Sequence, residues 1–115
     1  MRYLLLIAGE ENPRAEFSVE EDAATLDEYA AWMKAVTERG ILQGGERLRP
    51  TSDATTVRVR NGEVLSTDGP FAETKEQLGG YFLVDCKDLD EATEVAAKLP
   101  GARYGSIEVR PIWEM

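Results

Sequence analysis

Two strand–helix–strand patterns, separated by a short hairpin, restrict the fold of this chain more than any other feature. The first runs from "RYLLLIAG" (2–9) through a helical pattern to "ILQGGERL" (41–48). The second runs from "GGYFLVDC" (79–86) through "DLDEATEVAAKLPG" to "SIEVRPIW" (106–113). Between them "TTVRVR" (55–60) alternates apolar and basic residues, Asn61–Gly62 signals a two-residue turn, and "EVLST" (63–67) returns. Two such units with right-handed crossovers give an α+β, ferredoxin-like sheet under two helices, with the hairpin as an insertion. At 115 residues, with no linker rich in Pro, Gly or Ser, residues 1–115 read as one domain.

Local signals place the elements. "SVEE" offers a capping box, with Ser18 as N-cap and Glu21 at the third helical position. The main helix then runs from about Asp22 or Leu26 to Arg39. Leu26, Tyr29, Ala30, Met33 and Thr37 recur on one face, with Val36 at its margin and Tyr29 and Trp32 beside one edge. Gly40 is the expected left-handed cap. Gly44–Gly45 inside a strand predicts a bulge or a close backbone approach. Asp88 caps the second helix with Glu91 at its third position. Leu89, Ala92, Ala96 and Leu99 make its apolar face, and Pro100–Gly101 stops it. Pro111 suits an edge or strand end, and Trp113 an edge or dimer anchor.

The strands carry a further implication. Tyr3, Leu5 and Ile7 point one way, Leu4 and Leu6 the other, and "YFLV" is apolar on both faces. Two helices cover one face of a four-stranded sheet. A contiguous apolar patch is rarely left wet, so a second copy packed sheet to sheet is the simplest cover. A homodimer is expected. The rival reading folds the hairpin back over that face within one chain.

Composition excludes several function classes. The net charge of −9, from 22 acidic and 13 basic residues, repels phosphate backbones and anionic lipid, so neither nucleic acid nor membrane is an expected partner. The single cysteine, Cys86, allows no internal disulfide and points to a reducing cytoplasm. At a strand end, Cys86 reads as a packing residue. With no histidine, a Ser–His or Cys–His pair cannot form and a zinc site is not expected. No calcium-loop spacing or phosphate-binding glycine loop is present, so no metal or cofactor is expected.

What remains for chemistry is carboxylate, lysine, arginine and tyrosine. They concentrate in "STDGPFAETKEQLGGYF" (66–82). Asp68–Gly69–Pro70 is first of all a turn: Asp caps its own backbone, Gly supplies positive φ, and Pro fixes the next φ. "AETKEQ" then makes about one helical turn with Lys75 exposed. Phe71 argues for more, since an aromatic there should fold into a pocket and draw Asp68 and Glu73 against apolar walls. Burial of that kind raises a carboxylate's pKa toward a usable acid or base. Lys75 or Arg58 would hold an anionic group. Glu46, after the glycine pair, faces a cleft or stands as a solvated strand charge. Arg58 and Arg60 read as the outer, solvated face of the hairpin.

"DGPFAETKEQLGGYFLVDCKDLDEATEVAAKLPGA", with "MRYLLLIAG", "ERGILQGGERLRP", "ATTVR" and "IEVRPI", closely resembles the DGPF branch of the YCII-related family. The resemblance covers nearly the whole chain. It implies a ferredoxin-like fold that pairs as a dimeric α+β barrel. Relatives in the broader superfamily include cofactor-independent isomerases, lyases and oxygenases acting on small ring compounds in the barrel cleft. The family's proposed His–Asp pair would place its Asp on or near Asp68 and its His near Tyr29, but this chain has no histidine, so that pair is not intact. The resemblance also implies a link to alternative sigma factors, through protein and not DNA. Two readings follow. One is a dimeric small-molecule-binding protein, or a cofactor-independent lyase or isomerase, in which Asp68 is acid or base, Tyr29 a polar partner, Phe71 a wall, and Arg58 or Lys75 an anion anchor. The other is a non-catalytic accessory protein acting with a sigma factor.

Overall fold

The alternating apolar residues of "RYLLLIAG" form the central strand of the molecule, β1 (Arg2–Gly9). The structure is a computed structural model that describes residues 1–11 and 19–115, and of residues 19–22 the backbone alone. The expected capping box at Ser18 and Glu21 lies outside the described residues.

The chain continues through α1 (Val19–Glu38), β2 (Leu42–Arg47), a short turn of 3-10 helix at Thr51–Asp53, β3 (Thr55–Arg60) and β4 (Glu63–Asp68). It closes with β5 (Gln77–Asp85), α2 (Leu89–Ala97), α3 (Gly101–Tyr104) and β6 (Ser106–Pro111). The main sheet has the order β2-β5-β1-β6, antiparallel throughout. That order is what two interleaved strand–helix–strand units produce, so the fold is the ferredoxin-like α+β arrangement. β3 and β4 form a separate two-stranded sheet.

One face of the main sheet is covered. Tyr3, Leu5 and Ile7 of β1, with Val84 of β5, pack under Trp32 and Val36 of α1 and Ala92, Val95 and Ala96 of α2. Trp32 lies against Phe82 with ring centroids 4.6 Å apart. The buried face of α1 therefore runs through Trp32 and Val36 with Tyr29 at its fringe, and Leu26 and Met33 are exposed. The expected stripe was rotated about the helix axis, because the indole fits against Phe82 and α2 in a way that spacing alone does not reveal. On α2, Val95 joins Ala92 and Ala96 in the core, with Leu99 just past the helix end, while Leu89 is exposed. The segment after Pro100 turns into α3 instead of leaving helical structure.

Alternation places Leu4 and Leu6 of β1 and Tyr81 and Leu83 of β5 on the other face. They are half-buried, and no helix among the described residues covers them.

Turn and cap chemistry follows the sequence. Gly40 has φ +71°, Asn61 and Gly62 have φ +52° and +79°, and the Asp88 carboxylate accepts from the Glu91 amide at 2.9 Å. The register of β2 shifts between Leu42 and Gly44, and a Cβ on Gly45 would collide with the Phe82 ring. The glycine pair marks both a bulge and a close approach.

Candidate functional site

The pairing of Gly9 with Gln77 brings the end of β1 to the start of β5. β2 finishes and β6 begins at this same end of the sheet. The segment 68–76 crosses here, so two motif side chains meet residues from distant parts of the chain. Glu73 and Lys75 line an open cleft of ≈ 470 Å³ together with Pro70, Thr74 and Gln77. Its opposite wall is Glu10, Glu11 and Thr51.

Each wall is organised by its own bonds. Glu11 accepts from the Thr51 amide at 2.9 Å and from the Thr51 hydroxyl at 2.8 Å, which fixes the 3-10 turn to the end of β1. Lys75 reaches across to Glu10 at 3.3 Å. Both ends of that pair are solvated, so it contributes little to stability. The Gln77 side-chain amide donates to the carbonyls of Ala72 and Thr74, and Ser106 donates to Glu76 at 2.7 Å. Residues 71–76 are thus bends held by side-chain bonds, not the helical turn expected from "AETKEQ". The Glu73 carboxylate makes no hydrogen bond or ion pair among the described residues, which leaves it able to accept from a ligand. The cleft therefore presents one carboxylate unengaged among the described residues and one ammonium that can exchange Glu10 for another anion.

The remaining candidates lie elsewhere. Asp68 ends β4, opposite Thr55, and is exposed. Phe71 is 81% exposed and does not fold into a pocket of its own chain. Asp68 and Glu73 are both exposed, not drawn against apolar walls as expected. Tyr29 sits on the helix-covered side, where a Cβ on Gly101 would come within 3.0 Å of its hydroxyl. Glu46 pairs in register with Tyr81 and is exposed at the edge strand of the uncovered face.

Arg58 was expected to be solvated, and the reverse holds. It is half-buried and donates to the Phe71 carbonyl at 3.3 Å, while Val57 and Val59 face solvent. The Thr56 hydroxyl donates to the Gly69 carbonyl at 2.8 Å, and the Gly69 amide donates to Ala54 at 2.7 Å. Gly69 has φ +102°, as the turn requires. These three bonds fasten 69–71 to β3 and to Ala54 just before it. The Asp68 carboxylate makes no hydrogen bond or ion pair among the described residues, and the turn is held instead through the Gly69 carbonyl, which accepts from Thr56.

No cluster of three or more Cys, Asp or Glu side chains suited to a metal occurs among the described residues. No helix among them is long and apolar enough to cross a membrane.

A family model for the YCII-related domain matches residues 1–115. The chain belongs to the YCII-related family. It is also similar to the uncharacterized protein R00369 of Rhizobium meliloti (strain 1021), with 43% identity over 114 residues, covering 97% of this chain and 92% of the relative. This YCII-related chain combines the ferredoxin-like sheet with a cleft at one sheet end. Sequence reasoning missed Glu10, Glu11 and Thr51. An acidic pair directly after a strand was the available signal, but only the pairing of β1 with β5 brings it to Lys75.

Proposed function

We propose that this YCII-related chain is a small-molecule-binding protein of the DGPF branch that works as a homodimer, with its ligand in the cleft beside residues 70–77. The observation that carries the reading is the meeting of Glu73 and Lys75 with Glu10 in one cleft of ≈ 470 Å³. That volume lies within the range of about 300–1,000 Å³ occupied by small-molecule sites. A carboxylate without a partner among the described residues and a displaceable ammonium suit a small polar ligand carrying both a donor and an anionic group. The half-buried Leu4, Leu6, Tyr81 and Leu83 support dimerisation, since a second sheet is the natural cover for such a face.

Binding ranks above turnover. A lyase or isomerase role for Asp68 with Tyr29 would need the two side chains in one site, and they lie on the separate hairpin and the helix-covered side respectively. An accessory role beside a sigma factor is compatible with binding, but no structural feature favours it. The test is a thermal-shift panel of small amino, hydroxy and keto acids on wild type, Glu73→Gln and Lys75→Met. At least one compound should raise the Tm of wild type and leave both variants unmoved. A flat panel, or equal shifts in all three proteins, would remove this cleft as the site.

A further inference from the structure

Among the described residues, nothing covers the hairpin β3–β4. Its strands pair with each other and barely touch any other strand or helix. An isolated two-stranded hairpin is marginal in water. This one turns a row of valines outward: Val57, Val59 and Val64 are 61%, 58% and 71% exposed. Val59 and Val64 are direct cross-strand partners, so they form one patch. The radius of gyration, 16.1 Å, exceeds the roughly 13 Å of a globular chain this long, as a projecting arm requires.

The same chain thus carries two bare apolar surfaces, the valine face of the hairpin and the uncovered face of the main sheet. Area argues that one occupant covers both. Four strands about 4.8 Å apart and about six residues long give a flat footprint near 400 Å². A stable interface takes about 800 Å² of accessible surface from each partner. The hairpin enlarges the footprint by about half. In a two-fold dimer each chain supplies both surfaces and receives both.

We infer that β3–β4 is a dimerisation arm whose valine face packs on a second copy of this chain, so that the partner's territory receives the segment bearing Asp68 and Phe71. This rests on the homodimer proposed above. The three bonds fastening 69–71 to β3 and Ala54 make the coupling mechanical: where the arm docks, Phe71 goes with it. The exposed Phe71 becomes an apolar contact at the subunit boundary, next to the cleft lined by Glu73 and Lys75. The ligand site is complete only in the dimer.

Sedimentation velocity and far-UV circular dichroism on wild type and on the double variant Val59→Asp/Val64→Asp test the arm. Both positions are exposed in the single chain, so the variant keeps its secondary structure, and its dimer Kd rises at least 100-fold. An unchanged Kd overturns the arm and leaves the dimer standing. Wild type that sediments as one chain at tens of micromolar overturns both. Hydrogen exchange on wild type decides the matter without any substitution. Amides of β3 and β4 should be protected at high concentration and lose protection on dilution below the Kd, while β1 and β5 stay protected. Equal hairpin exchange at both concentrations would overturn the arm.

Discussion

The indole N–H of Trp32 donates to the backbone carbonyl of Val95 at 2.9 Å, joining α1 to α2 through the core. The same ring lies against Phe82, so one side chain holds both helices to β5. Replacing Trp32 by Phe keeps the ring contact and loses the hydrogen bond. The expected cost is about 1 kcal/mol of stability, the usual net value of such a bond. Trp32→Ala also empties the space between the helices, and about 3–5 kcal/mol is expected. Urea denaturation of the three proteins measures both steps, and equal losses would show that the ring adds nothing beyond the bond.

The adjacent glycines of β2 are predicted to behave differently. A Cβ on Gly45 would overlap the Phe82 ring and stand 2.7 Å from the Tyr81 carbonyl, while a Cβ on Gly44 meets nothing within 4 Å. Gly45→Ala must push β2 from β5 or turn Phe82 off Trp32, at an expected cost of about 1–3 kcal/mol as in overpacked cores. Gly44→Ala should stay within about 0.5 kcal/mol of wild type. Thermal melts of the two single variants check the contrast.

These residues show where the sequence was legible. Gly40, Asn61–Gly62, Gly69 and Asp88 each act through their own backbone or the next turn, and each is found where local rules place it. The strand order followed because two crossovers leave few alternatives. The face of α1 was not legible, because apolar residues occupy more than one stripe and the choice was made by contacts with β5 and α2. The cleft was legible by half: Glu73 and Lys75 stand in a conspicuous motif, whereas Glu10 reaches Lys75 only through strand pairing. Phe71 was expected in a pocket on chemical grounds, and a single chain does not provide one.

Cys86 is predicted to be inert in the folded protein. It is 2% exposed, and burial first, then the Glu91 carboxylate, pushes its thiol pKa above the ordinary value. A folded-state pKa raised above the unfolded one stabilises the fold below the unfolded value, and the gain is lost as pH rises through the folded value. Stability measured against pH should therefore fall on the alkaline side of the ordinary thiol range, and Cys86→Ser should flatten that fall. A thiol reagent at pH 8 should modify Cys86 only as fast as the protein opens. Immediate stoichiometric labelling of native protein would contradict this.

The contrast between Asp68 and Thr56 gives the sharpest separation of structure from function. Thr56 donates to the Gly69 carbonyl, and the Asp68 carboxylate bonds to nothing among the described residues. Thr56→Val keeps the branched shape and removes the donor, so about 1 kcal/mol of stability should be lost. Asp68→Ala should cost no more than about 0.5 kcal/mol, as for an exposed side chain without a partner. Any compound that stabilises wild type can then be titrated against Asp68→Ala and Asp68→Asn. If both variants keep wild-type melting temperatures but lose the ligand response, the carboxylate serves binding or chemistry directly, because its removal disturbs no turn. If Asp68→Ala instead melts early while Thr56→Val does not, the carboxylate caps the turn after all, and the motif's charge has a structural explanation.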